Sequence, residues 1–270
     1  MFSAILSTLI SCVLAANINP AERYSKYRIT GGNEAVPHAY PYQVAIIIDS
    51  TQFCGGSLIS SNYVLTAAHC ATEIYVKAEI ILGAHNVSDK ESTQVHRTVS
   101  KIIIHKNFNY TSYQNDIALL RLSKPAPINA AIKIVQLISK KDATKTFVAQ
   151  TVTSTGWGLT QDISNPSIKN MSNVLMVVNV SVIELKICKI YYKDQYTHID
   201  YVTGKNICTS GWKKRGTCSG DSGGPLVLDG VQIGIVSAGA EKCEIGAPSV
   251  FTHIGKYLSW IQKHSDVIII

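Results

Sequence analysis

From residue 42 to residue 251 the chain is broken into short apolar or alternating runs, each closed by turn-forming residues, and this spacing constrains the fold more than any other feature. The runs cover residues 42–48, 57–59, 63–66, 80–82, 101–104, 117–122, 148–153, 175–182, 231–237 and 249–251. Runs of that length suit strands that bury one or both faces, so an all-β protein is expected. The one convincing helical stripe lies near the C-terminus, where Tyr257, Leu258, Trp260 and Ile261 precede the polar Gln262-Lys263-His264. A chain of 270 residues with 46% hydrophobic content can bury a core as one large domain or two small ones. Pro125-Ala126-Pro127 and Lys140-Lys141-Asp142 mark the region where one half could hand over to the other.

Residues 1–16 form an apolar run ending in Ala15-Ala16 and read as a secretory signal peptide, although its basic portion is reduced to the amino terminus. No other stretch approaches the roughly 20 apolar residues of a transmembrane helix, so an exported, soluble protein is expected. The chain has seven cysteines, and loss of Cys12 with the signal peptide leaves an even number, which argues for disulfides in an exported chain. Zinc fits poorly because no Cys-x-x-Cys pair exists. The count alone leaves the pairing open. Removing residues 1–28 takes Arg23, Lys26 and Arg28 against Glu22, so the formal charge falls by two from +7 to +5. No basic stripe or nucleic-acid motif accompanies that charge, so neither nucleic acid nor a membrane is an expected partner. The densest basic run, Lys213-Lys214-Arg215, reads as a solvated loop rather than a substrate-steering patch.

The chemistry is carried by Gly220-Asp221-Ser222-Gly223-Gly224-Pro225. A serine hydroxyl is a weak nucleophile until a base lies within hydrogen-bond reach and a third group orients that base. Upstream stand His69, in Leu65-Thr66-Ala67-Ala68-His69-Cys70, and Asp116, in Asn115-Asp116-Ile117-Ala118-Leu119-Leu120, giving the order His, Asp, Ser. Singly, each has an ordinary alternative: a core histidine, a turn aspartate, a glycine loop. In this order and with these flanks, residues 28–260 resemble a chymotrypsin-like (trypsin-family) serine endopeptidase. Gly216-Thr217-Cys218 before the serine motif is similar to arthropod chymotrypsin-like and brachyurin-type enzymes.

The resemblance implies two six-stranded antiparallel β-barrels with the active site in the cleft between them and a C-terminal α-helix. One barrel would occupy residues 29–138 and the other, with the helix, residues 139–270, together forming one peptidase domain. Catalytic His69 and Asp116 would come from the first barrel and Ser222 from the second. The backbone N–H groups of Gly220 and Ser222 would form the oxyanion hole, and Ser237 would hydrogen-bond the aspartate. The implied disulfides are Cys54–Cys70, Cys188–Cys208 and Cys218–Cys243. Residues 17–28 would be an activation propeptide cut after Arg28, freeing an Ile29 ammonium to pair with Asp221. Gly216, Gly239 and Ser249 would line an open, uncharged primary pocket that favours large apolar P1 residues, unless Glu241 or Glu244 reaches it.

Two departures from the family pattern stand out. Ala238 replaces the usual tryptophan of Ser-Trp-Gly, which removes an aromatic wall for extended substrates. Ala84 and Gln94 stand where calcium-binding members carry glutamates, so no metal and no cofactor are expected. Sequons at Asn86, Asn109, Asn170 and Asn179 are glycosylation candidates. The expected partners are protein or peptide substrates, an activating trypsin-like protease and serine protease inhibitors, with the enzyme an extracellular monomer. The competing readings are a protease-fold binding protein with weak or no catalysis, and an endopeptidase of elastase-like or collagenolytic specificity.

Overall fold

A computed structural model describes residues 29–162, 171–193 and 200–269. The signal peptide (1–16), the propeptide (17–28, with Arg28) and the sequon at Asn170 lie outside the described residues. The described chain enters with a two-residue strand, β1 (Asn33–Glu34). It then builds β2 (Gln43–Ile48), β3 (Gln52–Leu58), β4 (Tyr63–Thr66), a short helix α1 (Ala68–Thr72), β5 (Ala78–Leu82), β6 (Val95–Ile104) and β7 (Ala118–Leu122). Strands β2-β3-β4-β7-β6-β5 close into an antiparallel barrel. The period of two sorts their side chains. Val44, Ile46 and Ile48 of β2 enter the main core, while Ala45 and Ile47 pack outward with Phe53, Ile81 and Trp157. Each such aliphatic side chain stabilises the fold by about 1.5–3 kcal/mol when fully buried.

The second half contains β8 (Gln136–Leu137), β9 (Thr151–Gly156), β10 (Met176–Ile183), helix α2 (Leu185–Tyr191), β11 (Asn206–Thr209), β12 (Pro225–Leu228), β13 (Val231–Ala238), β14 (Ser249–His253) and helix α3 (Leu258–His264). Strands β10-β11-β14-β13-β12-β9 close through the β9–β10 pairing into the second six-stranded barrel. β10 alternates as a barrel strand should: Met176, Val178, Val180 and Val182 are buried, with Asn179 and Ser181 exposed. Both β1 and β8 lie within residues 29–138 yet join the second sheet, β1 beside β10 and β8 beside β13. The barrels are thus laced together by the ends of the first half.

The structure corrects the reading of a single helix. α1 has only five residues and α2 buries only Cys188 of its seven, so neither carries an apolar stripe, and a disulfide tethers each through Cys70 or Cys188. The run at 148–153 is also displaced: Phe147 and Ala149 adopt φ of 59° and 67°, so strand pairing begins only at Thr151. β11 and β12 have four residues each, and alternation alone did not reveal them. The terminal helix forms at Leu258–His264 with Leu258 and Ile261 buried.

Candidate active site

His69 sits on α1, immediately beyond β4, and the Cys54–Cys70 disulfide ties that turn to β3. Asp116 precedes β7 in a tight turn closed by the Ile117 N–H on the Asn115 carbonyl at 2.9 Å. The aspartate is fully buried, so each carboxylate oxygen needs a donor. Oδ2 accepts from His69 Nδ1 at 2.8 Å and from Ser237 Oγ at 2.6 Å, and Oδ1 accepts from the His69 backbone N–H at 2.9 Å. A carboxylate facing Nδ1 places the ring proton there and leaves Nε2 as an acceptor. Thr252 Oγ1, on β14 of the other barrel, donates to the Asp116 carbonyl at 2.8 Å. Ser237 was expected from the resemblance; Thr252 has no signal in the sequence.

Ser222 lies on the turn before β12. The Asp221 N–H closes the turn on the Cys218 carbonyl at 3.0 Å, and Gly55 of the first barrel donates its N–H to the Ser222 carbonyl at 2.7 Å. Gly220 has φ of 94°, and a Cβ there would strike Met171 and Gly158, so only glycine fits. Among the described residues the Gly220 and Ser222 N–H groups make no backbone hydrogen bond. No hydrogen bond joins His69 Nε2 to the Ser222 hydroxyl among the described residues either, although both side chains face one cavity of about 510 Å³. Such bonds are commonly long without substrate and tighten when it binds.

That cavity spans the two barrels and includes Gly239, Ala238, Val236 and Glu241 in its lining. A Cβ on Gly239 would meet open space, whereas one on Gly216 would lie 2.9 Å from Ser249 Oγ. Gly216 and Ser249 are buried and, against expectation, do not line the cavity; their chain neighbours Thr217 and Val250 do. Glu244 is turned away: its carboxylate accepts from the Asp162 N–H at 3.0 Å. Glu241 is exposed at the cavity rim. The structure also brings three tyrosines to the cleft that sequence reasoning missed, Tyr113, Tyr192 and Tyr201. The Tyr113 ring lies 5.3 Å from that of His69, and the Tyr192 hydroxyl donates to the Pro248 carbonyl. Burial pushes the Tyr192 hydroxyl up to about 12, so it remains a donor. Only the position of Tyr113, three residues before Asp116, could have hinted at any of them.

Asp221 is buried, its carboxylate accepting from the N–H groups of Cys218 at 2.9 Å and Gly158 at 2.8 Å. A Cβ on Gly158 would lie within 2.6 Å of that carboxylate. Burial raises the Asp221 carboxyl to about 7, and none of the ion pairs among the described residues includes it. Ile29 is fully buried, with φ of 42°, and Thr30 exchanges two hydrogen bonds with Gly216, at 3.1 and 3.2 Å.

All three expected disulfides form, Cys54–Cys70, Cys188–Cys208 and Cys218–Cys243. In the loop where the family calcium site would fall, Gln94 Nε2 donates to the carbonyls of Asn86 at 2.6 Å and Asp89 at 3.0 Å and to Glu91 Oε2 at 3.3 Å. A hard cation needs those oxygens for itself, and amide N–H groups already converge on them, so these residues do not fit calcium. Burial alone would raise the Glu91 carboxyl, but the N–H groups of His85 and Asn86 and the Gln94 amide together hold it below its ordinary value. Lys213, Lys214 and Arg215 are exposed outside the cleft lining, with Lys213 Nζ 4.4 Å from the Trp212 ring centroid. Asn109 and Asn179 are exposed, and Asn86 is half-buried with its amide donating to Asp89 at 2.7 Å. No helix among the described residues is long and apolar enough to cross a membrane.

Residues 29–261 match the family model described as Trypsin. The chain is 42% identical to brachyurin of Leptuca pugilator over 240 residues, covering 88% of this chain and 99% of the relative. It is 37% identical to chymotrypsin of Phaedon cochleariae over 252 residues, covering 92% and 86% respectively. Among solved structures, HL collagenase superposes with a TM-score of 0.76 at 28% identity, covering 88% of this chain and 99% of that one. With that extent of match across both barrels and the cleft, this chain belongs to the trypsin family of serine proteases.

Proposed function

We propose that the protein is a secreted serine endopeptidase, made as a precursor, cut after Arg28, and selective for large apolar P1 side chains. The observation that carries this is the arrangement at the cleft: a buried Asp116 bonded to His69 Nδ1, with Ser222 across the same cavity. In this reading His69 takes the Ser222 proton as the hydroxyl attacks the peptide carbonyl, then gives it to the departing amine. Asp116 holds the imidazole tautomer and stabilises the imidazolium. The Gly220 and Ser222 N–H groups receive the oxyanion, each such donor being worth about 3–4 kcal/mol in the transition state. The acyl-enzyme is then hydrolysed by the same steps with water as nucleophile.

Activation is supported by the junction. Ile29 is already buried and Thr30 already bonded to Gly216, while the uncut backbone holds a β-branched residue in the left-handed region, a conformation costing about 1–3 kcal/mol. Cutting after Arg28 frees that torsion and creates an ammonium suited to the buried Asp221. For specificity, Gly239 leaves one wall of the cavity open, Gly216 and Ser249, buried next to the lining residues Thr217 and Val250, bring no charge to it, and Glu244 is engaged elsewhere.

The test is active-site labelling. After cleavage at Arg28, a fluorophosphonate probe should attach to Ser222 and to nothing else. A folded, processed protein that refuses the probe would instead be a protease-fold binding protein. A peptide-library profile then decides specificity. Phe, Tyr, Leu or Met at P1 is expected; Ala-dominated cleavage would favour an elastase-like pocket, and native collagen as the preferred substrate a collagenolytic one.

A further inference from the structure

Asn115, immediately before Asp116, is one of eleven non-glycine residues with positive φ among the described residues, at 58°. Asparagine tolerates that region better than most side chains, and a turn residue of this kind needs no further role. Its side chain, however, is bonded far beyond its own turn. Nδ2 donates to the Asn107 carbonyl at 2.7 Å within the same loop. Oδ1 accepts from Lys205 Nζ at 2.8 Å and from the Tyr257 hydroxyl at 3.2 Å. Lys205 immediately precedes β11 and Tyr257 immediately precedes α3, so both donors come from the other half of the molecule. Three of the four hydrogen-bonding positions of this amide are therefore used, two of them across the barrel interface.

The surroundings make that link stiff. The Tyr257 ring is buried and stands edge-on to His105 at 5.5 Å, and Trp260 covers the same imidazole at 5.4 Å. His105 in turn donates its backbone N–H to the Ile117 carbonyl at 3.2 Å, on the far side of Asp116. Burial, with the Asp116 charge adding to it, raises the Tyr257 hydroxyl well above its ordinary value, which keeps it a donor. The Lys205 contact is at the surface and contributes less than the Tyr257 contact.

We infer that Asn115 is a positioning residue for the Asp116–His69 pair, the point through which Tyr257 and Lys205 of the second half hold the aspartate turn in register with Ser222. This rests on the triad reading above. Asn115 touches neither substrate nor reacting atoms; it acts by fixing the peptide whose carbonyl closes the Asp116 turn. A displacement of about 1 Å at a catalytic group can cost on the order of a hundredfold in rate.

The experiment is steady-state kinetics on activated enzyme carrying Asn115→Gly, which accepts the left-handed backbone while deleting all three side-chain bonds, beside Tyr257→Phe, Lys205→Met and the pair Asn115→Gly/Tyr257→Phe. Asn115→Gly is expected to lower kcat by about ten- to a hundredfold while KM moves by less than about twofold. Tyr257→Phe should lower kcat less, Lys205→Met least, and Tyr257→Phe should cost nothing further once Asn115 is glycine. A wild-type kcat in Asn115→Gly, a loss carried by KM, or a Tyr257→Phe effect equal in both backgrounds overturns the inference. If Asn115→Gly fails to fold, Tyr257→Phe decides alone by the same split between kcat and KM. Ser222→Ala is measured alongside: activity surviving in that variant sinks the triad reading, whereas its loss together with an unaffected Asn115→Gly sinks only the positioning role of Asn115.

Discussion

Asp221 and Ser222 are neighbours with opposite requirements, one a buried acid without a cation among the described residues, the other a hydroxyl facing the cleft. Replacing Ser222 or His69 by alanine is expected to lower turnover by on the order of 10⁶-fold with folding intact, read as kcat on activated enzyme. Asp221 should appear first in stability. Its folded pKa is raised from 3.8 to about 7, so the folded precursor holds a proton that the unfolded chain has released across that window. Its contribution is therefore most favourable at low pH and is lost as pH rises from about 4 to 7. In a Ser222→Ala precursor, which cannot process itself, Asp221→Asn should flatten the fall in Tm over that range. An unchanged Tm–pH curve would refute the assignment. In cleaved enzyme the same Asp221→Asn change should lower activity, because the Ile29 ammonium loses its charged partner.

At the scale of elements, the loop between β5 and β6 shows how one side chain can take over an ion's task. Gln94 gathers two carbonyls and a carboxylate that would otherwise repel one another. Calcium or chelator is expected to leave the wild-type Tm unchanged. Gln94→Glu should turn the same loop into a weak cation site: at tenfold excess over Kd the bound ion would contribute about 1.4 kcal/mol, or a rise of roughly 3–6 °C for a domain of this size. A calcium-dependent Tm in the wild type would contradict the amide latch. The substitutions Ala84 and Gln94 were legible, but the amide's three contacts were not, because they depend on how residues 86–91 fold back. The same distinction separates β2, a continuous apolar run, and β10, an alternating one, from β11 and β12, which fall outside the runs legible in the sequence and whose pairing is a matter of neighbours.

At the scale of the whole molecule, the cleft exists only because two barrels meet, and specificity belongs to that scale. Burying a large apolar P1 side chain should give about a ten- to hundredfold preference over alanine in kcat/KM. Ala238 lies near Tyr192, Tyr201 and Val250 on the cavity wall. Ala238→Trp should therefore improve kcat/KM for extended peptides more than for short ones, and equal gains on both would show that the wall does not serve residues beyond P1. Arg or Lys exceeding Phe and Leu in wild-type enzyme would instead mean that the exposed Glu241 reaches into the pocket.

The serine-protease resemblance and the all-β expectation were legible in the sequence because both rest on local stretches: glycines flanking Ser222, a histidine one residue before a cysteine, an aspartate leading into an apolar run. Period-two alternation likewise declared strands without reference to partners. What surrounds these residues depends on segments distant in the chain meeting in the fold. Tyr257 and Lys205 meet Asn115 across 142 and 90 residues, Thr252 meets Asp116 across 136, and Glu244 turns to Asp162 rather than to the pocket. Contacts of that separation depend on how two closed barrels pack against each other. No short stretch of chain carries that information, because the energy that orients the barrels is distributed over the whole of their shared core.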